Sequence, residues 1–368
     1  MTFINKLAKL EYDGGRRKFV ESVILNNKNL CNSKETYIIA EMSANHMQDL
    51  NRAKRIIREA KVAGADAVKI QTYRPDTITV DCYGEEFLCT PGSPWEGRNL
   101  YELYKTAYTP WEWHEELFEE AKKVGIPMFS TPFDLTAVDF LHKFDMPAIK
   151  IASYEINDIP LIKKCAKEMK PMILSTGLAT LQDIDLAIKT CKEVGNNQIV
   201  LLKCVSEYPT PYEDINLKTM KNMKETFDCV VGLSDHSIGS EVSIAAVAMG
   251  AKVIEKHFTL SRSDGGADAA FSMEPDEFRN MVQSIRNIEK AMGKVTYDLS
   301  ERQLKSKERS RSLYIVEDMK EGELLTEKNV RSIRPGYGLH TQYYEKILGK
   351  RVKKDIKKGT ALRWEYLE

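Results

Sequence analysis

From residue 37 onward, short β-branched runs alternate with longer segments of helical period, and the runs number eight. They are YIIAE (37–41), AVKIQ (67–71), PMFST (127–131), AIKIAS (148–153), PMILST (171–176), QIVLLKC (198–204), CVVGLS (229–234) and KVIEKH (252–257). Between them lie NRAKRIIREAKVAG (51–64), WEWHEELFEEAKKVG (111–125), LTAVDFLHKF (135–144), PLIKKCAKEM (160–169), LQDIDLAIKTCKEVG (181–195) and EVSIAAVAMG (241–250). Several end in Gly, the residue that closes a helix in the left-handed conformation. The runs are apolar almost throughout, as in a parallel sheet covered on both faces. Eight such units over roughly 250 residues predict an α/β fold, a (β/α)8 TIM barrel. A doubly wound open sheet is the competing reading, and the strand count and the lack of GxGxxG after the first run favour the barrel.

Other segments complete the organisation. Residues 72–110, between the second and third runs, are rich in Pro, Gly and aromatics, the composition and length of a lid or binding loop. The charged segment 301–312 lacks an apolar face and reads as a linker between a barrel domain over 23–300 and a small, mostly β domain over 313–368. EDMKEGELL (317–325) and KDIKKGTAL (354–362) form a weak internal repeat there and predict pseudo-symmetry. Residues 23–36 look like a hairpin that plugs the barrel base, and residues 1–22 read as an N-terminal extension.

Lys plus Arg (54) balance Asp plus Glu (54), so the formal net charge of zero gives no reason to expect a nucleic acid or a membrane surface as partner. Seven dispersed cysteines without a CxxC pair predict reduced thiols and a cytoplasmic location.

Barrel enzymes carry their chemistry at the C-terminal ends of the strands. Those ends here supply Glu41, Lys69 with Gln71, Ser130, Lys150 with Ser153 and Glu155, Ser175, Lys203, Ser234-Asp235-His236 and Glu255-Lys256-His257. Polar residues are normal where strands surface, which accounts for about half of these positions. It does not account for Lys69 and Lys150, set inside apolar runs, because a buried ammonium needs an anion. Two lysines beside the Ser/Thr-Gly turns at 175–180 and 234–239 predict a phosphate or carboxylate pocket. His236 and His257 sit at neighbouring strand ends and suit one divalent ion or, equally, a hydrogen-bonded pair without metal. Glu41, Glu155 and Glu255 are candidate acids or bases, and Glu41 is also a candidate ion-pair partner of a lysine. A non-catalytic carbohydrate-binding protein is the competing class, and the converging lysines argue against it.

At these residues the chain resembles the sialic acid synthase family. The stretches that carry the likeness are AEMSANH (40–46), KIQTY (69–73), KIASYE (150–155), STG (175–177), KCVSEYPTP (203–211), GLSDHSIG (232–239) and EKHFTL (255–260), with RSIRPGYGL (331–339) resembling the antifreeze-like SAF domain that follows the barrel there. FTLSRSDGGADAAFSMEP (258–275) is similar to the branch of that family whose product is pseudaminic acid. The resemblance implies a transferase condensing phosphoenolpyruvate with a 2,4-diacetamido-2,4,6-trideoxy-hexose of L-altrose configuration, with phosphate lost by C–O cleavage. Legionaminic or neuraminic acid synthesis, or another metal-dependent aldolase-type reaction, is the alternative.

It also implies roles. His236 and His257 would hold Mn²⁺, Mg²⁺ or Co²⁺. Lys69, Lys150, Ser153, Ser175, Ser234 and Lys294 would bind phosphoenolpyruvate. Gln71, Tyr208 and Asp268 would face the sugar. Glu155 would help deprotonate the water that adds to C2, with Glu41 and Glu255 as further carboxylates. Arg334 of the SAF domain would reach the partner subunit's barrel in a domain-swapped homodimer. Ser206 stands where neuraminic acid synthases have Asn, so its reach toward phosphate differs.

Overall fold

The computed structural model describes residues 22–368, and before them only the backbone of a short antiparallel hairpin, Glu11–Asp13 with Arg16–Lys18. The rest of the 1–22 extension lies outside the described residues.

Eight parallel strands close into a barrel: β1 (Tyr37–Glu41), β2 (Ala67–Thr72), β3 (Met128–Pro132), β4 (Ile149–Ile151), β5 (Met172–Ser175), β6 (Ile199–Lys203), β7 (Val230–Asp235) and β8 (Val253–His257), with β8 pairing back onto β1. Around them run α1 (Leu50–Val62), α2 (His114–Val124), α3 (Leu135–Leu141), α4 (Ile159–Lys167), α5 (Leu181–Glu193), α6 (Thr219–Phe227), α7 (Glu241–Ala248) and α8 (Pro275–Met292). The predicted runs match these strands to within one or two residues. Helix α6, which buries only Met220 and Met223, has no counterpart among the predicted segments.

Local chemistry fixes the ends. Asp49 caps α1 by accepting from the amides of Asn51 and Arg52, and the helix buries Ala53, Ile56, Ile57 and Ala60 at the spacing of one face. Thr180 and Asp183 form a capping box at α5, and Pro275 occupies the first turn of α8. At Gly232 in β7 the neighbouring strand passes so close that a Cβ would run into the Val253 carbonyl. The strand starts converge on a sealed base: Val23, Leu25 and Leu30 of the hairpin Ile24–Leu25/Lys28–Asn29 are fully buried with Tyr37, Ala67, Phe129, Met172, Val200 and Val253. The opposite end of the barrel is left to polar groups.

The chain divides after Gly293. In the second unit, the segment read as a linker carries a fully exposed helix, Glu301–Lys307, capped by Ser300. Strands β9 (Ser312–Ile315) and β10 (Val330–Ile333) then pair antiparallel over a core that includes Leu313, Ile315, Val330, Val352 and Leu362. The internal repeat is a physical pair. Met319 and Ile356 exchange backbone hydrogen bonds at 2.8 and 2.9 Å, Asp318 accepts from the Lys358 amide, and Asp355 accepts from the Glu321 amide.

Candidate active site

Successive side chains of a strand point to opposite faces, and this rule sorts the strand ends. In β8, Glu255 and His257 line a cavity of about 560 Å³ at the barrel mouth, whereas Lys256 points away from it. In β7, Ser234 lines the cavity and Asp235 points away, and His236 follows on the inner side. The two outward residues are register partners and form a fully buried ion pair, Lys256 Nζ to Asp235 Oδ2 at 2.9 Å. Asp235 also accepts from the hydroxyls of Ser237 (2.6 Å) and Ser243 (2.7 Å), and Lys256 also donates to the Ser237 carbonyl. Behind the two histidines, then, lies a satisfied polar network that ties the ends of β7 and β8 together.

At the floor, two lysines and two glutamates interleave. Lys69 Nζ lies 2.8 Å from Glu41 Oε2 and 3.4 Å from Glu255 Oε1. Lys150 Nζ donates to Ser175 Oγ at 2.7 Å and stands 3.8 Å from Glu255 Oε1. Ser234 Oγ donates to the same carboxylate oxygen at 3.2 Å. Burial works against every charge here. Glu255 is nonetheless held below the ordinary carboxylate range by Lys150 and Lys69, and Lys69 is held up by Glu255 and Glu41. Burial carries Glu41 upward despite its contact with Lys69, because that ammonium is shared with Glu255. For Lys150 burial prevails and its pKa falls, the mark of an ammonium with only a distant partner. The buried lysines therefore have counter-ions inside the protein. Glu41 thus takes the ion-pair place beside Lys69 that was one of its two expected roles, while Lys150 keeps only a distant carboxylate.

Beside Lys150 sits an anion-sized corner. Gly177 N donates to Ser153 Oγ at 3.1 Å, and a Cβ on Gly177 would collide with the hydroxyls of Ser206 and Ser153. Ser206 Oγ and Glu155 Oε2 are buried polar atoms without a hydrogen-bond partner. Burial pushes Glu155 up to about 7, with Lys150 opposing.

The imidazoles of His236 and His257 lie 5.3 Å apart between ring centroids. His236 Nδ1 is 2.8 Å from the Val205 carbonyl, the kind of bond that fixes a metal-ligating histidine and leaves Nε2 to face a ligand. His257 Nδ1 is buried without a partner, and burial together with the His236 charge holds its pKa well below the ordinary value. A neutral His257 with an orphaned nitrogen fits a divalent ion. At His236, burial is outweighed by Cys204 and the Val205 carbonyl, which hold its pKa above the ordinary value, so an ion there would displace a proton. Among the described residues no group of three or more His, Cys, Asp or Glu side chains is arranged for a metal, so an ion here would be held by two imidazoles and completed by water and substrate.

The opposite wall comes from connecting loops. Tyr208 packs its ring against His236 (4.4 Å) and Phe271 (4.9 Å). Asp268 accepts from Ser43 Oγ at 2.5 Å and from the Ala44 amide at 3.1 Å, and Gln71 Nε2 donates to Ser43 Oγ and Glu41 Oε1. The long β2–α2 connection folds over the cavity and supplies Leu88, Cys89, Trp95, Leu100, Leu103 and Tyr104 to its lining. It is latched by Trp95 Nε1, which donates to the Ala267 carbonyl at 2.9 Å. The 258–273 loop is in turn tied to the turn after β1, through Arg52 to Asp264 (2.6 Å) and Asn45 to Ser272 (2.9 Å).

The NeuB family profile matches residues 56–297 and the SAF domain profile matches residues 310–368. The chain belongs to the NeuB family. Among the proteins this NeuB-family chain resembles is a pseudaminic acid synthase of Campylobacter jejuni, 48% identical over 91% of this chain and 97% of that protein. An N,N'-diacetyllegionaminic acid synthase of Legionella pneumophila is 38% identical over 91% of this chain and 96% of that protein. The solved structure of an N-acetylneuraminic acid synthetase from Leptospira borgpetersenii, in complex with citrate, matches with a TM-score of 0.66 at 31% identity, over 81% of this chain and 95% of that one.

In this NeuB-family barrel one cavity gathers Glu41, Lys69, Gln71, Lys150, Ser153, Glu155, Ser175, Tyr208, Ser234, His236, Glu255, His257 and Asp268, with Ser206 at its edge. Lys294 and Arg334 are exposed residues of the second unit, and the cavity is lined from the first. The other histidines are structural: His46 packs on Trp113, His114 bonds Thr72, His142 pairs with Glu168 and His340 caps a short turn. The sequence reading missed Ser43, Cys204 and the lid residues. Ser43 lies beyond the end of β1 in a 3-10 turn, where strand alternation no longer applies.

Proposed function

We propose that this chain is a pseudaminic acid synthase, condensing phosphoenolpyruvate with a 2,4-diacetamido-2,4,6-trideoxy-hexose to give the nine-carbon acid and phosphate. The observation that carries this reading is the side-by-side placement of a Lys150–Ser175–Ser153 corner and a His236–His257 pair in one cavity, in a chain closer to the Campylobacter pseudaminic acid synthase than to the Legionella legionaminic acid synthase. Legionaminic acid synthesis is the second reading.

Lys150, Ser175, Ser153 and Ser206 bind the phosphate and carboxylate of phosphoenolpyruvate. Lys69 with Glu41 and Glu255 forms a preorganised floor, one ammonium between two carboxyl groups, whose acidic side stabilises positive charge developing at C2 after C3 attacks the sugar aldehyde. Glu155, held near neutrality, takes the proton of the water that adds to C2. His236 and His257 would hold a divalent ion, Mn²⁺, Mg²⁺ or Co²⁺, which would supply Lewis-acid polarisation of the aldehyde. Gln71, Tyr208 and Asp268 orient the sugar, and the 72–110 lid excludes water.

We further propose a cytoplasmic homodimer in which the second unit serves the partner's barrel, bringing Arg334 and Lys294 to it. Val295, Tyr297, Leu299 and Leu304 support this, since all four are exposed apolar side chains in the connecting segment. The seven cysteines form no disulfide, in keeping with a cytoplasmic location. Turnover in ¹⁸O-water tests the chemistry. C–O cleavage leaves the released phosphate unlabelled and places the label on the sugar acid, whereas labelled phosphate refutes the mechanism.

A further inference from the structure

Ser43 combines two features that have no shared structural explanation. Its backbone lies in the left-handed region at φ +48°, although it is buried and is not glycine. A non-glycine residue is disfavoured there, and strain of this kind persists where the surroundings or a function hold it. Met47 and Gln48 of the same turn, at φ +52° and +55°, also lie in this region.

The side chain offers the compensating feature. A hydroxyl has one proton to donate and lone pairs to accept. Ser43 donates to Asp268 Oδ2 and accepts from Gln71 Nε2 at 2.9 Å. The second donor bond of Gln71 goes to Glu41 Oε1 at 3.1 Å, so both amide bonds are directed into the protein and the amide orientation is set. Its carbonyl takes part in neither bond. Likewise Asp268 spends Oδ2 on Ser43 and the Ala44 amide, and Oδ1 takes part in neither bond. All three residues line the same cavity. One hydroxyl therefore engages both Gln71 Nε2 and Asp268 Oδ2, and leaves Gln71 Oε1 and Asp268 Oδ1 outside these bonds in residues that line the cavity.

We propose that Ser43 is a positioning residue for the sugar: it presents Gln71 and Asp268 as a fixed pair of acceptors for two donor groups, amide N–H or hydroxyl, on the aldose. The inference rests on the reading of this face of the cavity as the sugar side. Ser43 is not a catalytic residue, because the anion corner and the histidine pair are built without it.

Steady-state kinetics on Ser43→Gly and Ser43→Ala test it, with phosphoenolpyruvate and the aldose varied in turn and melting temperatures recorded. Glycine removes the hydroxyl and relieves the strain, and alanine removes the hydroxyl and keeps it. Both variants are expected to raise the KM of the aldose about tenfold or more while the KM of phosphoenolpyruvate stays within about twofold. Ser43→Gly should melt at or above the wild-type temperature and Ser43→Ala below it. A purely structural role would instead lower stability and kcat with the two KM values unchanged. An aldose KM within twofold of wild type in both variants, or an equal rise for both substrates, overturns the proposal while the function stands. A wild-type enzyme that releases no phosphate with any candidate aldose overturns the functional reading, and the Ser43 proposal with it.

Discussion

Replacing Lys256 with methionine isolates the network behind the histidine pair. The side chain keeps its length and apolar stem, loses its charge, and leaves Asp235 buried without a counter-ion. The pair is at 2.9 Å and the two side chains are 0% and 1% exposed, so solvent cannot screen the loss. Breaking a buried pair in this way costs about 3–5 kcal/mol. Asp235 keeps the bonds from Ser237 and Ser243, which favours the lower end. Burial opposes the Asp235 charge, but Lys256 and the two serines hold its pKa below 3.8. In the wild type it thus adds stability above the unfolded value, lost as pH falls through the lower folded value. Without Lys256 burial dominates and the folded pKa rises. The defect is then largest at pH 7–8 and shrinks as acid protonates Asp235. The assay is urea unfolding followed by tryptophan fluorescence, since Trp95, Trp111 and Trp113 all lie in the barrel unit. Asp235→Asn/Lys256→Met should recover about half of the loss or more. A single-variant loss below about 1 kcal/mol, or a double variant no more stable than the single, refutes the reasoning.

Other perturbations address the site itself. Glu155→Gln should lower kcat by about 10²-fold or more if Glu155 moves the proton. It should also stabilise the ligand-free protein at pH 8 by about 1–3 kcal/mol, because the carboxylate is raised from 4.5 to about 7 and is disfavoured above that range. Thermal melts should show that gain vanish as pH falls toward 4.5. His257→Ala should abolish Mn²⁺ binding in calorimetric titration, and chelation should silence the wild type until the ion is restored. Gly177→Ala places a methyl against Ser206 and Ser153, so the KM of phosphoenolpyruvate should rise about tenfold with the aldose KM little changed.

The barrel was legible because parallel strands buried on both faces write continuous apolar runs, and polar residues within them stand out. VIEKH is the clearest case: period two sends Glu255 and His257 inward and Lys256 outward to Asp235. Sequence placed Lys69 and Lys150 in the core, but it does not show that Glu41 and Glu255, more than a hundred residues apart, converge on them. The lid was legible as a long loop, whereas its latch joins Trp95 to Ala267 across 172 residues and leaves no local pattern. Ser43 escaped because serine carries no signal of a positive φ. The charged 301–312 segment hid a short helix because an exposed, capped turn needs no apolar face.

The central claim is the pairing of phosphoenolpyruvate with a diacetamido-trideoxy sugar in this cavity. Phosphate release from phosphoenolpyruvate, with Mn²⁺ and each of three aldoses, tests it most directly: the 2,4-diacetamido-trideoxy-altrose, its mannose-configured counterpart and N-acetylmannosamine. Release with the altrose-configured sugar and little or none with the others is the predicted result. Release with either of the others in its place, or with none of the three, contradicts it.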